Sequence, residues 1–233
     1  MLGNTRRYAR VAAVATLAAL PLALSGVAAS ATTLAPTTTV LTAKVSTSVT
    51  GQLVRFKITV KETVGTTLPT GTVQLADLGT PVGSPAPLVD TLGIMTAIVK
   101  VGFPAGSHTL TATYSGDTAN AGSSSAGLPL TVSKAATTVV VTAQHLTKPG
   151  SYKLDAKIKV TKPGLGVPVP SGTVTFTIGA NPPLPPVTLD SLGHAHVYVK
   201  GLTVGLSYTV TVTYAGDSNF SAPAAGTLTF IAS

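Results

Sequence analysis

An all-β chain of two tandem β-sandwiches, each of about seven antiparallel strands and together preceded by a cleaved leader, is what this sequence predicts. Three observations predict it. The 233 residues include 23 Gly and 17 Pro, too many breakers for a helical protein but suited to short strands joined by turns. Apolar and polar residues alternate with period two through residues 54–60 and 152–160. Finally, several segments recur at an offset near 100 residues, the mark of a repeated module.

Taken in chain order, residues 1–31 read as a signal peptide. Arg6, Arg7 and Arg10 form a basic start, and Val11 to Leu24 form an apolar run interrupted by Thr16 and Pro21. Ala29-Ser-Ala31 then supplies the small residues of a cleavage site, so cleavage is expected after Ala31. The run falls short of the ~20 residues that span a bilayer, and Pro21 breaks its end, so no stable membrane insertion is expected after cleavage. Thr5-Arg6-Arg7 hints at twin-arginine export, but Ala9 and Arg10 stand where that signal wants apolar side chains, which favours the ordinary secretory route.

The mature chain divides at a seam near Ser133 to Thr137, giving modules at 32–133 and 134–233 with few contacts expected across the seam. Strands are predicted near 38–45, 53–61, 71–76, 87–90, 94–101, 107–115 and 128–133 in the first copy. In the second they are predicted near 137–143, 152–161, 172–178, 186–190, 194–200, 207–215 and 226–231. Val54, Phe56, Ile58 and Val60 alternate with Arg55, Lys57, Thr59 and Lys61; Tyr152, Leu154, Ala156, Ile158 and Val160 alternate with Lys153, Asp155, Lys157 and Lys159. One face of each strand is therefore buried and the other wet.

The repeat is carried by three motifs. Pro69-Thr-Gly-Thr-Val-Gln-Leu75 recurs as Pro170-Ser-Gly-Thr-Val-Thr-Phe176, and Asp90-Thr-Leu-Gly93 as Asp190-Ser-Leu-Gly193. Leu110-Thr-Ala-Thr-Tyr-Ser-Gly-Asp117 returns as Val210-Thr-Val-Thr-Tyr-Ala-Gly-Asp217. With their alternating Thr/Val strand and upstream Gly, these segments resemble bacterial immunoglobulin-like repeats over residues 35–233. The resemblance implies two immunoglobulin-like sandwiches in an extracellular spacer or adhesive protein.

With no Cys and no Trp, the sandwiches lack the disulfide packed on Trp of antibody domains. Aliphatic burial must hold them, helped by Phe56, Phe176, Tyr114 and Tyr214. Tyr208, three residues after Gly205, suits the tyrosine corner of such folds, and His108 occupies the matching place in the first copy. A lone imidazole on a core-facing phase without a chemical partner reads as structural.

The absence of Cys also excludes thiolate metal sites, Cys nucleophiles and a lipidated N-terminal Cys. Of the seven carboxylates, Asp90, Asp190, Asp117 and Asp217 fall in turns, while Glu62 and Asp155 lie on or beside exposed strand phases. Turn duty explains the former, because Asp side chains satisfy local backbone donors. Neither a nucleophile elbow nor a carboxylate pair is present, so no enzyme is expected. The loops Gly116-Asp-Thr-Ala-Asn120 and Gly216-Asp-Ser-Asn219 offer two oxygen-bearing side chains each, short of what calcium collects, and read as turns. His194-Ala-His196 projects two imidazoles from one strand face without a third ligand, so neither a metal nor any other cofactor is expected. Leu128-Pro-Leu-Thr-Val132 approaches a wall-sorting motif but has Val in place of the required Gly, and Pro182-Pro-Leu-Pro-Pro186 reads as a stiff connector.

The leader's three Arg leave 12 basic against seven acidic residues in the mature chain, unevenly divided: +1 in 32–133 and +4 in 134–233. In a sandwich of this type the second and fifth strands are neighbours. Lys153, Lys157 and Lys159 should therefore share an outward face with His194, His196, Tyr198 and Lys200. Such a face reads first as solvated lysines that keep a sheet soluble; as a binding surface, its expected partners are anionic cell-wall or host polysaccharides, or another surface protein. Nucleic acid is not expected, because export and the small number of basic residues argue against it. The function expected is that of a secreted, non-enzymatic spacer or adhesion module, extracellular and associated with the cell surface or wall. The alternative is a carbohydrate-binding accessory module associated with polysaccharide metabolism. Against it, the mature chain has no Trp and only ten Phe and Tyr, most on buried phases.

Overall fold

A computed structural model describes residues 33–161 and 167–233. The leader assigned to 1–31 and its cleavage position lie outside the described residues. In the first repeat the strands are β1 (Thr37–Ala43), β2 (Thr47–Val49), β3 (Val54–Glu62), β4 (Thr72–Asp77), β5 (Thr80–Pro87), β6 (Val89–Thr91), β7 (Ile94–Val101), β8 (Gly106–Tyr114), β9 (Ser123–Ser124) and β10 (Leu128–Ser133). They form one sheet of order β1-β3-β7-β6 and a second of order β2-β10-β8-β4-β5, with β9 beside β8. All pairings are antiparallel except β2 with β10. The second repeat holds β11 (Thr137–His145), β12 (Tyr152–Val160), β13 (Thr173–Ile178), β14 (Val187–Thr188), β15 (His194–Val199), β16 (Ser207–Tyr214) and β17 (Gly226–Ile231). Its sheets run β11-β12-β15 and β14-β13-β16-β17.

The period-two pattern explains why these segments pair as they do. In β3 the apolar phase Val54, Phe56, Ile58 and Val60 is buried, while Arg55, Lys57 and Lys61 stay in solvent. The opposing sheet contributes Val73, Leu75, Leu110, Tyr114 and Leu130 to the same core. In the second repeat Leu154 and Ile158 meet Val174, Phe176, Val210, Val212 and Phe220. Each core closes between its own two sheets, and the aromatic residues expected inside, Phe56, Phe176, Tyr114 and Tyr214, are all buried.

The first repeat has ten strands where seven were expected, because β2, β5 and β9 were not anticipated. β5 carries Pro81, Pro85 and Pro87 together with Gly83, a composition that argues against a strand interior. It survives as a sheet edge, where proline's missing N–H faces outward, and its pairing with β4 shifts register between Val73 and Leu75. β2 exists because ten residues separate β1 from β3, against six between β11 and β12. The longer connection doubles back and covers the edge of β10.

Candidate functional site

The outward face of the β11-β12-β15 sheet gathers most of the residues expected to act together. Antiparallel register sets Lys153 opposite Tyr198, Asp155 opposite His196 and Lys157 opposite His194. On the other side of β12, Gln144 stands opposite Lys153, Val140 opposite Lys157 and Thr138 opposite Lys159. Directly opposed side chains in such a ladder have Cβ atoms about 5 Å apart, so each row is one contact surface. Lys159 and Lys200 fall at opposite ends of the face and do not join one cluster, since β15 runs antiparallel to β12 and pairs with it only as far as Lys157. Lys153 Nζ lies 2.8 Å from Asp155 Oδ1. That hydrogen bond raises the Lys153 ammonium above its ordinary range, with the charge of Asp155 adding to it. His196 stacks edge-on against Tyr198 with ring centroids 5.4 Å apart.

Tyr198 is 60% exposed, and among the described residues every other Phe and Tyr is buried or half-buried. The same register position in the first repeat holds Ile98, opposite Lys57, and the position of His196 holds Thr96, opposite Thr59. Two sheets of one design thus carry different outer surfaces: both present basic side chains, but the first sets Ile98 and Thr96 where the second sets a phenol and an imidazole.

A second assembly links two of the repeated motifs in each copy. Asp217 Oδ1 accepts from the backbone N–H of Asn219 (2.7 Å) and Phe220 (2.8 Å), while Oδ2 accepts from Ser171 N–H (2.9 Å) and Ser171 Oγ (2.8 Å). Asp117 does the same with Ala119, Asn120 and Thr70. Ser171 and Thr70 are the middle residues of the Pro-x-Gly motifs, so the Tyr-x-Gly-Asp loop is bolted to the opposite connection of its own sandwich. Burial opposes ionisation of both carboxyls, but these donors outweigh it and hold both below the ordinary carboxylate range. Burial pushes the Tyr114 hydroxyl up to about 12, with Asp117 adding to the shift. With both carboxylate oxygens committed to protein donors, these loops have little left for a cation, and among the described residues no group of three His, Asp or Glu side chains could hold a metal.

Expected to lack a chemical partner, His108 in fact has two. Its Nδ1 lies 2.6 Å from Asp77 Oδ2 and its Nε2 3.0 Å from the Pro104 carbonyl. Both ring nitrogens thus sit against oxygen atoms, which fixes the orientation of the imidazole from two sides. Asp77, which the sequence left without a role, is therefore the side-chain partner that holds a buried His. The same Pro104–Ala105 peptide is gripped on its other side, where Ala105 N–H donates to Asn219 Oδ1 of the second repeat at 3.0 Å. Tyr208, at the matching position of the second repeat, instead accepts from Thr203 N–H at 3.0 Å, the upstream backbone bond of a tyrosine corner.

Elsewhere, an open depression between the β3–β4 connection and Gly93-Ile94 contains a single acid, Glu62, beside Lys61. One carboxylate without a second acid or a nucleophile makes no catalytic set. Among the described residues no helix is long and apolar enough to cross a membrane.

Comparison with known proteins gives a family and several distant structural likenesses. A family model described as bacterial Ig-like domain (group 3) matches residues 41–133 and again 135–232. No curated protein matches the chain. Among solved structures, an adhesin of Yersinia pseudotuberculosis, InvE, aligns at 16% identity and TM-score 0.42, covering 83% of this chain and 58% of the adhesin. The D0-D1 domain of intimin aligns at 19% identity and TM-score 0.28, covering 81% of this chain and 96% of that one. A β-glucuronidase of Bacteroides uniformis aligns at 11% identity and TM-score 0.29 over 83% of this chain and 25% of the enzyme.

Proposed function

Because the chain belongs to the bacterial Ig-like domain (group 3) family over both of its repeats, we propose that it is an extracellular, non-catalytic module that works as a spacer or adhesive element at the cell surface. The observation that carries this reading is how the carboxylates are used. Asp77 orients His108, Asp90 and Asp190 close turns, Asp117 and Asp217 lock loops, and Asp155 pairs with Lys153. Six of the seven acids in the sequence thus maintain the scaffold or its surface, and Glu62 has no acidic partner beside it. Such a scaffold displays surfaces, and its Asp77–His108 pair has the second imidazole nitrogen occupied by the Pro104 carbonyl.

The location is tested by expressing the full-length chain in a bacterial host, fractionating the cells and sequencing the N-terminus of the exported form. The expected product begins at Thr32. Recovery with Met1 to Leu24 still attached in a membrane fraction overturns the extracellular assignment.

A further inference from the structure

From the surface described above, we propose that the outer face of β11-β12-β15 binds an acidic polysaccharide, with Tyr198 as the platform for a sugar ring and Lys153 and Lys200 as partners of its carboxylate. The inference deepens the extracellular reading and rests on it. The first support is the exposure of Tyr198. Burial is where an aromatic ring stabilises a sandwich, and the structure buries or half-buries every other described Phe and Tyr, yet sets this one 60% in solvent. On the solvent face of a sheet the ring has no core to fill, while its flat apolar face with a polar edge matches the C–H face and hydroxyls of a pyranose.

The neighbours of Tyr198 supply the second support. The row Gln144, Lys153, Tyr198 presents an amide, an ammonium and a phenol side by side. His196 stacks on the ring from one side along β15, and Lys200 follows on the other. Asp155 holds the Lys153 ammonium in place at 2.8 Å and uses only one of its three N–H donors. Acidic residues on or beside the face are Asp155 and Asp190, against Lys153, Lys157, Lys159 and Lys200, so its balance remains positive and complementary to a polyanion. Among the described residues no strand pairs with the far side of β15, which is the edge of its sheet. A chain of sugars can therefore lie along β15 with the lysines of β12 beside it.

The test uses the full two-repeat protein and three polymers: polygalacturonate, with ring faces and carboxylates; dextran, with ring faces and no charge; and polyphosphate, with charge and no rings. Affinity electrophoresis or calorimetry compares the wild type with Tyr198→Ile and with Lys153→Gln/Lys200→Gln. Isoleucine is the residue that the first repeat carries at this register position, so the sheet tolerates it, and a thermal melt verifies the fold. The expected result is binding of polygalacturonate in preference to the other two polymers, weakened about tenfold by Tyr198→Ile and by the double lysine change, and weakened by salt. Equal binding of polygalacturonate by wild type and Tyr198→Ile overturns the platform role. Equal binding of polyphosphate reduces the face to general charge attraction, and equal binding of dextran removes the acidic specificity; either overturns the proposal. Failure to bind any of the three also overturns it, and leaves the extracellular assignment to stand or fall on the fractionation experiment.

Discussion

Asp217 shows how much one side chain can carry in this fold. Its two oxygens accept from Asn219, Phe220 and Ser171, and through Ser171 it ties the β16–β17 loop to the connection before β13. Gly216 before it sits at φ +80°, where a Cβ would fall 2.6 Å from the Phe220 carbonyl, so the motif's Gly is required by close approach as well as by backbone conformation. Asp217→Asn turns an amide N–H toward donors at one end or the other, and hydrogen bonds to a charged group are lost. The expected cost is about 2 kcal/mol at neutral pH, read from urea denaturation. The sign of the pH effect follows from the direction of the shift. Both Asp217 and Asp117 ionise more readily folded than unfolded, so their stabilisation is complete above the unfolded carboxylate range. It is lost progressively as pH falls below about 4 and through the lower folded values. Denaturation midpoints should drop between pH 5 and pH 3 (about one unit either side of that range), and drop less in Asp217→Asn. An unchanged acid dependence in the variant would assign the effect to other groups.

At the scale of elements, the turns are where local and global preferences disagree. Between β6 and β7, Leu92 adopts φ +55° with its side chain 99% exposed, followed by Gly93 at φ +78°. A left-handed conformation costs a branched L-residue roughly 1 kcal/mol, and nothing in the core repays it here. Leu92→Asn should therefore stabilise the first repeat by about 0.5–1 kcal/mol, because Asn tolerates this conformation and suits the turn. A rise in melting temperature checks it, and destabilisation would mean that the leucine makes contacts in the folded chain that its exposure denies. The edges tell a similar story: the ten residues between β1 and β3 build β2 and shield β10, while β17 in the second repeat ends its sheet with Ile231 68% exposed. Connection length, more than strand composition, sets that difference.

For the whole molecule, the joint between repeats is specific although it is small. Ala135 bonds to the Asn219–Ser221 loop of the second repeat in both directions, as Ala35 does to Ala119 and Ala121 in the first. Asn219 then reaches across to Ala105, and Gly51 of the first repeat lies so near Val167 that a Cβ would stand 2.2 Å from its Cγ2. Each repeat closes its own core, so residues 34–133 and 134–233 expressed separately should each melt cooperatively. If neither does, the repeats depend on a shared interface. Asn219→Ala removes the one side-chain hydrogen bond to Ala105, a contribution of about 1 kcal/mol. It should broaden the distribution of inter-repeat orientations seen by residual dipolar couplings while leaving both melting transitions in place. Unchanged couplings would show that the close approach of Gly51 and Val167 is enough to orient the joint.

Strand placement was legible in the residues, because alternation with period two is a local pattern and a sheet with one wet face enforces it. That reasoning reaches from Val54 to Val60 and from Tyr152 to Val160, and it also places Lys153, Lys157, His194, His196 and Tyr198 outward. It stops at β5, where three prolines contradict a strand that only an edge position permits, and at β2, whose three residues are too few to show a period. Tertiary structure alone decided which distant residues meet. The Pro-x-Gly and Tyr-x-Gly-Asp motifs were both visible as repeats, but the hydrogen bonds joining Ser171 to Asp217 span 46 positions. Asp77 and His108 are 31 residues apart, and nothing near either one announces the other. Local pattern determines which face of a strand is apolar, because adjacent side chains point to opposite sides. Which polar groups find each other depends on how the strands are ordered within the sheets, and on how closely the two repeats are set.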